Sequence, residues 1–245
     1  IPNVIYAETF ISPDHAAECG ITYDDMISGC VQGIDDAERD FGIIGRIIVT
    51  CVRHLGPQQG VNVAKQMVDN PHPYIVGFGM GGDENAFTLE DYAPAFNIAA
   101  EAGYPCTVHA GELCVPESVW DAINFLPIRR IGHGVNSILD AKLLDELVKR
   151  NIHLEICPGS NLSLSIFADW ESHPLPSFIS KGISVSLNSD DPPFFHTSIG
   201  LEYINSAKHM DISLEALKKI SLMAMDASFA DADTKSRLIN KIIEF

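Results

Sequence analysis

A chain of 245 residues that is 46% hydrophobic and 20% charged can bury one large core, which predicts a single domain of barrel size over residues 1–245. A formal net charge of −17 repels nucleic-acid backbone and anionic membrane surfaces, leaving a small uncharged molecule as the expected partner. No apolar run reaches the roughly 20 residues of a membrane span, no signal segment is visible, and the six cysteines form no CxxC pair, which predicts a cytoplasmic protein with reduced, packed thiols.

Residues 4–10 read as a strand with a carboxylate, Glu8, near its end, followed by a turn at Ser12-Pro13. A helix over residues 23–41 carries Met26, Ile27, Cys30, Val31 and Ile34 at helical spacing. The alternation then recurs. Strand 43–52 precedes helix 60–68, strand 74–79 runs into a loop from Gly79 to Glu84 and then helix 89–102, and strand 106–110 precedes helix 116–125. Strand 130–133 precedes helix 140–149. Strand 153–157 leads through a loop over 158–161 to helix 175–181, and strand 184–189 is followed by helical sequence from about residue 199 to the end.

Seven apolar strands alternating with amphipathic helices specify a parallel sheet, and at this length the expected form is a (β/α)8 TIM-type barrel. A doubly wound open sheet is the alternative, but no strand opens into GxGxxG, and Gly79-Met80-Gly81-Gly82 has the wrong spacing. Because eight strands close a barrel, one strand-helix unit is expected to be missing from this chain, upstream of Ile1.

In such a fold every strand ends on the same face, so side chains distant in sequence converge there. Strand 106–110 contains His109 and is followed by Gly111 and Glu112; strand 130–133 ends on His133 between Gly132 and Gly134; strand 184–189 leads to Asp190 and Asp191. A strand-end histidine can hold a metal, and a carboxyl on the turn beyond it can move protons above that metal. The glycines near His109 and His133 are expected to clear space around each ring. Pro192 and Pro193 are expected to keep Asp191 extended and to prevent a helix from starting, so that Asp190 and Asp191 point opposite ways, one to metal and one to substrate. His54, His153 and His196 read as packing residues, and the acidic pairs Asp24-Asp25, Asp35-Asp36 and Asp83-Glu84 as solvated.

Four stretches, in this order, resemble the successive motifs of adenosine deaminases: Thr107-Val108-His109-Ala110-Gly111-Glu112, Arg130-Ile131-Gly132-His133-Gly134, Glu155-Ile156-Cys157-Pro158-Gly159-Ser160-Asn161 and Ser186-Leu187-Asn188-Ser189-Asp190-Asp191-Pro192. The loop from Gly79 to Glu84 is similar to the family's substrate-binding glycine loop, and the likeness extends from about Tyr6 into the C-terminal helices. The resemblance implies a barrel with one Zn2+ per intact chain, ligated by His109 and Asp190. It implies proton donation to the purine ring by Glu112, orientation or deprotonation of the attacking water by His133, and purine binding by Asp191 and the Gly82 backbone. Two departures stand out. Gly79 replaces the loop's usual Asp, and the family's His-x-His, which supplies its two further zinc ligands from the first strand, occurs nowhere in the sequence.

The leading expectation is therefore zinc-dependent hydrolysis of adenosine, a purine nucleoside, to inosine and ammonia in purine salvage. The alternatives are an adenine or modified-adenosine deaminase with the same metal and acid residues, and a catalytically silent purine-binding barrel, motivated by the missing ligands. The HxE and PCxxC signature of cytidine-type zinc deaminases is absent.

Overall fold

A computed structural model describes residues 4–244; the ends of the expected 1–245 domain, residues 1–3 and 245, lie outside it. Seven strands are described: β1 (Tyr6–Ile11), β2 (Ile44–Val52), β3 (Ile75–Gly81), β4 (Cys106–Ala110), β5 (Ile128–His133), β6 (His153–Ile156) and β7 (Ser184–Leu187). They pair in sequence order and all in parallel, each neighbouring pair being bridged by at least one helix. The helices are α1 (Pro13–Glu18), α2 (Tyr23–Phe41), α3 (Pro57–Asp69), α4 (Ala93–Glu101), α5 (Pro116–Phe125), α6 (Ala141–Arg150), α7 (Pro158–Ser163), α8 (Leu175–Lys181), α9 (Pro192–Phe195), α10 (Ile199–His209), α11 (Leu214–Ala227) and α12 (Ala232–Glu244). These are seven consecutive strand-helix units of a TIM-type barrel, and among the described residues β1 and β7 do not pair.

Strand alternation sorts the residues into two faces. Ile47, Val49 and Cys51 of β2, Cys106, Val108 and Ala110 of β4, Leu154 and Ile156 of β6, and Val185 and Leu187 of β7 belong to the main apolar cluster, with Val63, Met67, Phe96, Leu143, Leu147 and Phe178 from the covering helices. The opposite face is polar. Its residues are register partners from strand to strand: Glu8 beside Arg46, Thr107 beside Arg130, Arg130 beside His153, Glu155 beside Ser186.

The curl of the sheet follows from one ion pair. β1 and β5 are four strands apart, about 19 Å if the sheet were flat. Yet Arg130 Nη1 of β5 lies 2.5 Å from Glu8 Oε2 of β1, and Arg130 Nε lies 2.6 Å from Glu155 Oε1. Phe229, after α11, covers the guanidinium at 3.7 Å from its ring centroid. Only a sheet rolled around this buried cation satisfies these contacts. Below the mouth, His153 is buried between the Ser184 and Ser186 hydroxyls at 2.8 and 2.9 Å, and burial followed by the Arg130 charge pushes its pKa down to about 3.

Several expected elements are corrected. The turn after Ser12 continues into α1, and the loop expected over 158–161 is the helix α7, because Pro158 occupies a first-turn position that needs no N–H, while Glu202 of α10 accepts from Gly159 N–H at 2.9 Å. For the same reason Pro192 starts the short helix α9, contrary to the expectation that the prolines would prevent one. Helix 89–102 divides into a 3-10 turn, Glu90–Tyr92, and α4, since Pro94 can donate no backbone hydrogen bond. Gly79 is inside β3 rather than in the following loop; a Cβ there would meet Ile48, Thr107 and Thr50 at 3.3–3.4 Å. No helix among the described residues is long and apolar enough to cross a membrane.

Arg130→Met would leave Glu8 and Glu155 unpaired in the interior. We expect it to lower the unfolding free energy by about 3–5 kcal/mol, measured by urea denaturation, because removing one partner of a buried ion pair strands the other charges.

Candidate active site

The three predicted strand ends do meet. His109 points to the polar face of β4, where glycines make room for its ring: a Cβ on Gly132 would stand 3.0 Å from His109 Nδ1, and one on Gly81 3.6 Å from the ring. Thus the glycine beside His133 clears space for His109, whereas a Cβ on Gly134 would meet Leu154. His109 Nδ1 lies 3.1 Å from the Met80 carbonyl, which can only accept, so Nδ1 carries the proton and Nε2 keeps a lone pair for a metal.

Parity alone would send His133 to the helix layer, since its register partner is the outward Ala110. A left-handed backbone, φ 61°, accompanies the opposite outcome: its ring centroid is 5.0 Å from that of His109. His133 Nδ1 is 3.3 Å from Glu112 Oε1, and Nε2 is 3.8 Å from Asp190 Oδ2. Burial, and after it the neighbouring His109 imidazole, hold His133 well below the usual imidazole range, so the ring is neutral.

Asp190 and Asp191 are separated by a different device from the one expected. β7 ends at Leu187, and Asp190 has φ 54°, so the extended alternation does not apply. The left-handed turn leaves Asp190 beside His133 and Asp191 exposed at the start of α9. Gly82, with φ 98°, lies just past β3 against Val52, Arg53 and His54. His54 and His196 are exposed.

Sequence reasoning missed three groups. Asn161, fully buried on α7, lies with Nδ2 3.4 Å from His133 Nδ1 and 3.5 Å from Glu112 Oε1. Buried His173 fixes that amide: its Nδ1 accepts from Leu175 N–H at 3.2 Å, so Nε2–H donates to Asn161 Oδ1, also at 3.2 Å. Glu84, read as a solvated acid, is only 5% exposed. Burial alone would raise its carboxyl, but hydrogen bonds from Cys114, Ser118, Leu113 and Gly111 hold it below the usual range. The motif containing Asn161 was visible in the sequence; nothing there distinguished Glu84 or His173.

His133, Cys157 and Asp190 place a nitrogen, a sulfur and an oxygen within 4.8 Å of one another. With the free Nε2 of His109 this donor set suits zinc, which takes nitrogen, sulfur and oxygen ligands. Cys157 is the least suited of the four: burial, and after it the Asp190 charge, push its thiol far up, and its Sγ donates to the Glu155 carbonyl at 3.6 Å.

Glu112 has the opposite environment from Glu84. Burial first, then the charges of Asp190 and Glu84, raise its carboxyl to about 7. A carboxyl raised in the fold keeps its proton to higher pH than in the unfolded chain, so its contribution is fully present below about pH 4.5 and is lost as the pH climbs through 7. Glu112→Gln, neutral at every pH, should exceed the parent chain in stability at pH 8 by up to about 3 kcal/mol, with the gap closing towards pH 4.5 in urea titrations. A gap that does not vary with pH would contradict the raised carboxyl.

The geometry agrees with the relatives of this chain. A family profile described as adenosine deaminase matches residues 2–245. An adenine deaminase of Agrobacterium fabrum is 42% identical over 240 residues, which are 98% of this chain and 74% of that protein. The crystal structure of an adenine deaminase from Arthrobacter aurescens superposes with a TM-score of 0.93 at 26% identity, covering 98% of this chain and 73% of the other. An amidohydrolase from Burkholderia ambifaria, solved with bound zinc, gives a TM-score of 0.89 at 27% identity over 99% of this chain and 70% of the other. With four motifs in order, the fold that brings them together and a family match along almost the whole chain, this protein belongs to the adenosine deaminase family.

Proposed function

We propose that this chain acts as one hydrolase unit that deaminates adenine to hypoxanthine and ammonia, at a zinc site to which it contributes His109 and Asp190. The observation that carries the reading is Glu112: a carboxyl raised to about 7, 3.3 Å from a neutral histidine and beside Asp190, is a proton donor at neutral pH. The expectation of adenosine gives way to the free base, because a relative named adenine deaminase is 42% identical over 98% of the chain.

In this reading Glu112 delivers its proton to a ring nitrogen of the purine as the amino-bearing carbon is attacked, which stabilises the tetrahedral intermediate. His133, neutral and aimed at the site, orients the attacking water and takes its proton. Asn161 holds the Glu112 carboxyl against the imidazole. Asp191 and the Gly82 backbone hold the base. Zinc, when bound, supplies acidification of water from a pKa of about 15.7 towards 7.

Ammonia release from adenine and from adenosine, measured on the chain with zinc supplied, tests the proposal. We expect adenine to give the higher kcat/KM; a preference for adenosine, or no release from either, sinks it. Glu112→Gln should reduce turnover by roughly 10²–10⁴-fold while purine binding persists. Asp190→Asn should lower zinc content, since a neutral amide is a poor ligand, whereas Asp191→Asn should keep zinc and raise KM. Equal zinc loss from both would refute their division of labour.

A further inference from the structure

The segment joining β4 to α5 has no regular structure, yet its backbone is held on both sides. On one side a single carboxylate collects its donors. Glu84 accepts hydrogen bonds from the N–H groups of Gly111, of Glu112 at 3.1 Å, of Leu113 at 2.8 Å and of Cys114 at 2.9 Å, and from the Ser118 hydroxyl at 2.8 Å. On the other side Asn136 takes the carbonyls. Its Nδ2 donates to Glu112 O and Cys114 O, both at 2.9 Å, and its own N–H donates to Gly111 O at 2.9 Å.

The loop that carries Glu84 is tied to the turn that follows β2. Arg53, the first residue after β2, donates to the carbonyls of Ala86 at 2.7 Å and Phe87 at 2.9 Å, just beyond Glu84. Neither Glu84 nor Asn136 has a side-chain hydrogen bond to His109, His133, Asp190 or Asp191; Asn136 reaches the chemistry through the backbone that carries Glu112, and Glu84 through that backbone and through its charge, the last of the three causes that raise the Glu112 carboxyl. An acceptor with four backbone N–H partners and one hydroxyl, and a donor with only C=O partners, leave that backbone little freedom to shift without breaking several hydrogen bonds at once.

We propose that Glu84 and Asn136 are positioning residues that clamp the Gly111–Cys114 backbone and so set the reach of Glu112 to its proton acceptor. The proposal rests on the reading of Glu112 as proton donor. A carboxylate is required at position 84 because two oxygens receive five donors; in Glu84→Gln one of them becomes an NH2 group facing N–H groups. A displacement of about 1 Å at the reacting group can cost roughly 100-fold in rate without touching ground-state binding.

The test combines amide hydrogen exchange of residues 111–114 with steady-state ammonia release from adenine, on the full chain with zinc supplied, for the parent, Glu84→Gln, Asn136→Ala and Glu112→Gln. We expect Glu84→Gln to speed exchange in residues 111–114 but not in β4 or β5, and to lower kcat roughly 100-fold with KM unchanged. Asn136→Ala, on the opposite side and only partly buried, should show the same pattern to a smaller degree, and decides the matter if Glu84→Gln does not fold. Unchanged exchange, or faster exchange with parental kcat, overturns the clamp. If Glu112→Gln turns over like the parent, the proton-donor reading fails instead.

Discussion

The parallel register of seven strands in sequence order is the constraint from which the rest follows. Because partners across each ladder share a face, residues of one parity add to the helix-covered apolar layer and those of the other to a common interior, apart from the register shifts at the starts of β3 and β5 and from His133 at the end of β5. That interior is unusual for a barrel in being ionic: Arg130 sits between Glu8 and Glu155, with Thr107 donating to Glu155 at 3.0 Å and Tyr6 to Glu8 at 2.8 Å. A buried charge cluster of this kind is offset only when every member is paired, so it selects one arrangement of β1, β5 and β6 more than it adds stability. Above it, the mouth is free to hold groups chosen for chemistry.

At the mouth the backbone departs from strand geometry where the side chains must turn. His133 and Asp190 both have positive φ, at about 1–2 kcal/mol each for a residue with a Cβ. The surrounding core sustains that strain. Its effect is to bring one residue of outward parity and one beyond the end of β7 into the same few ångströms as His109. Two buried glutamates then diverge for a simple reason. Glu84 meets five hydrogen-bond donors and is held ionised, while Glu112 meets two negative neighbours and few donors, and keeps a proton near neutrality. A permanent anion holds the loop and a poised acid rides on it.

Much of this was legible in the chain. Strand order, the alternation with helices, and the motif residues His109, Glu112, His133 and Asp190 were all readable because period-2 and period-3.6 patterns and glycine-flanked strand ends are local signals. Local signals also misled. The prolines at 158 and 192 suggested loops, since a proline's compatibility with a first helical turn depends on what approaches that turn, here Glu202 at Gly159. The proposal of a base rather than a nucleoside as substrate rests on the relatives, because both demand the same metal and acid residues.

By itself the sequence determined which side chains of which strands would share an end of the sheet, since topology follows from alternation and connection length. Only the tertiary structure decided which way His133 and Asp190 face, that Glu84 is buried rather than solvated, and that His173 and Asn161 stand behind Glu112 and His133. The reason is physical. A φ of 54–61° and a hydrogen bond from Cys114 to a carboxylate 30 residues earlier are set by packing among segments remote in sequence, and no periodicity within either segment encodes them.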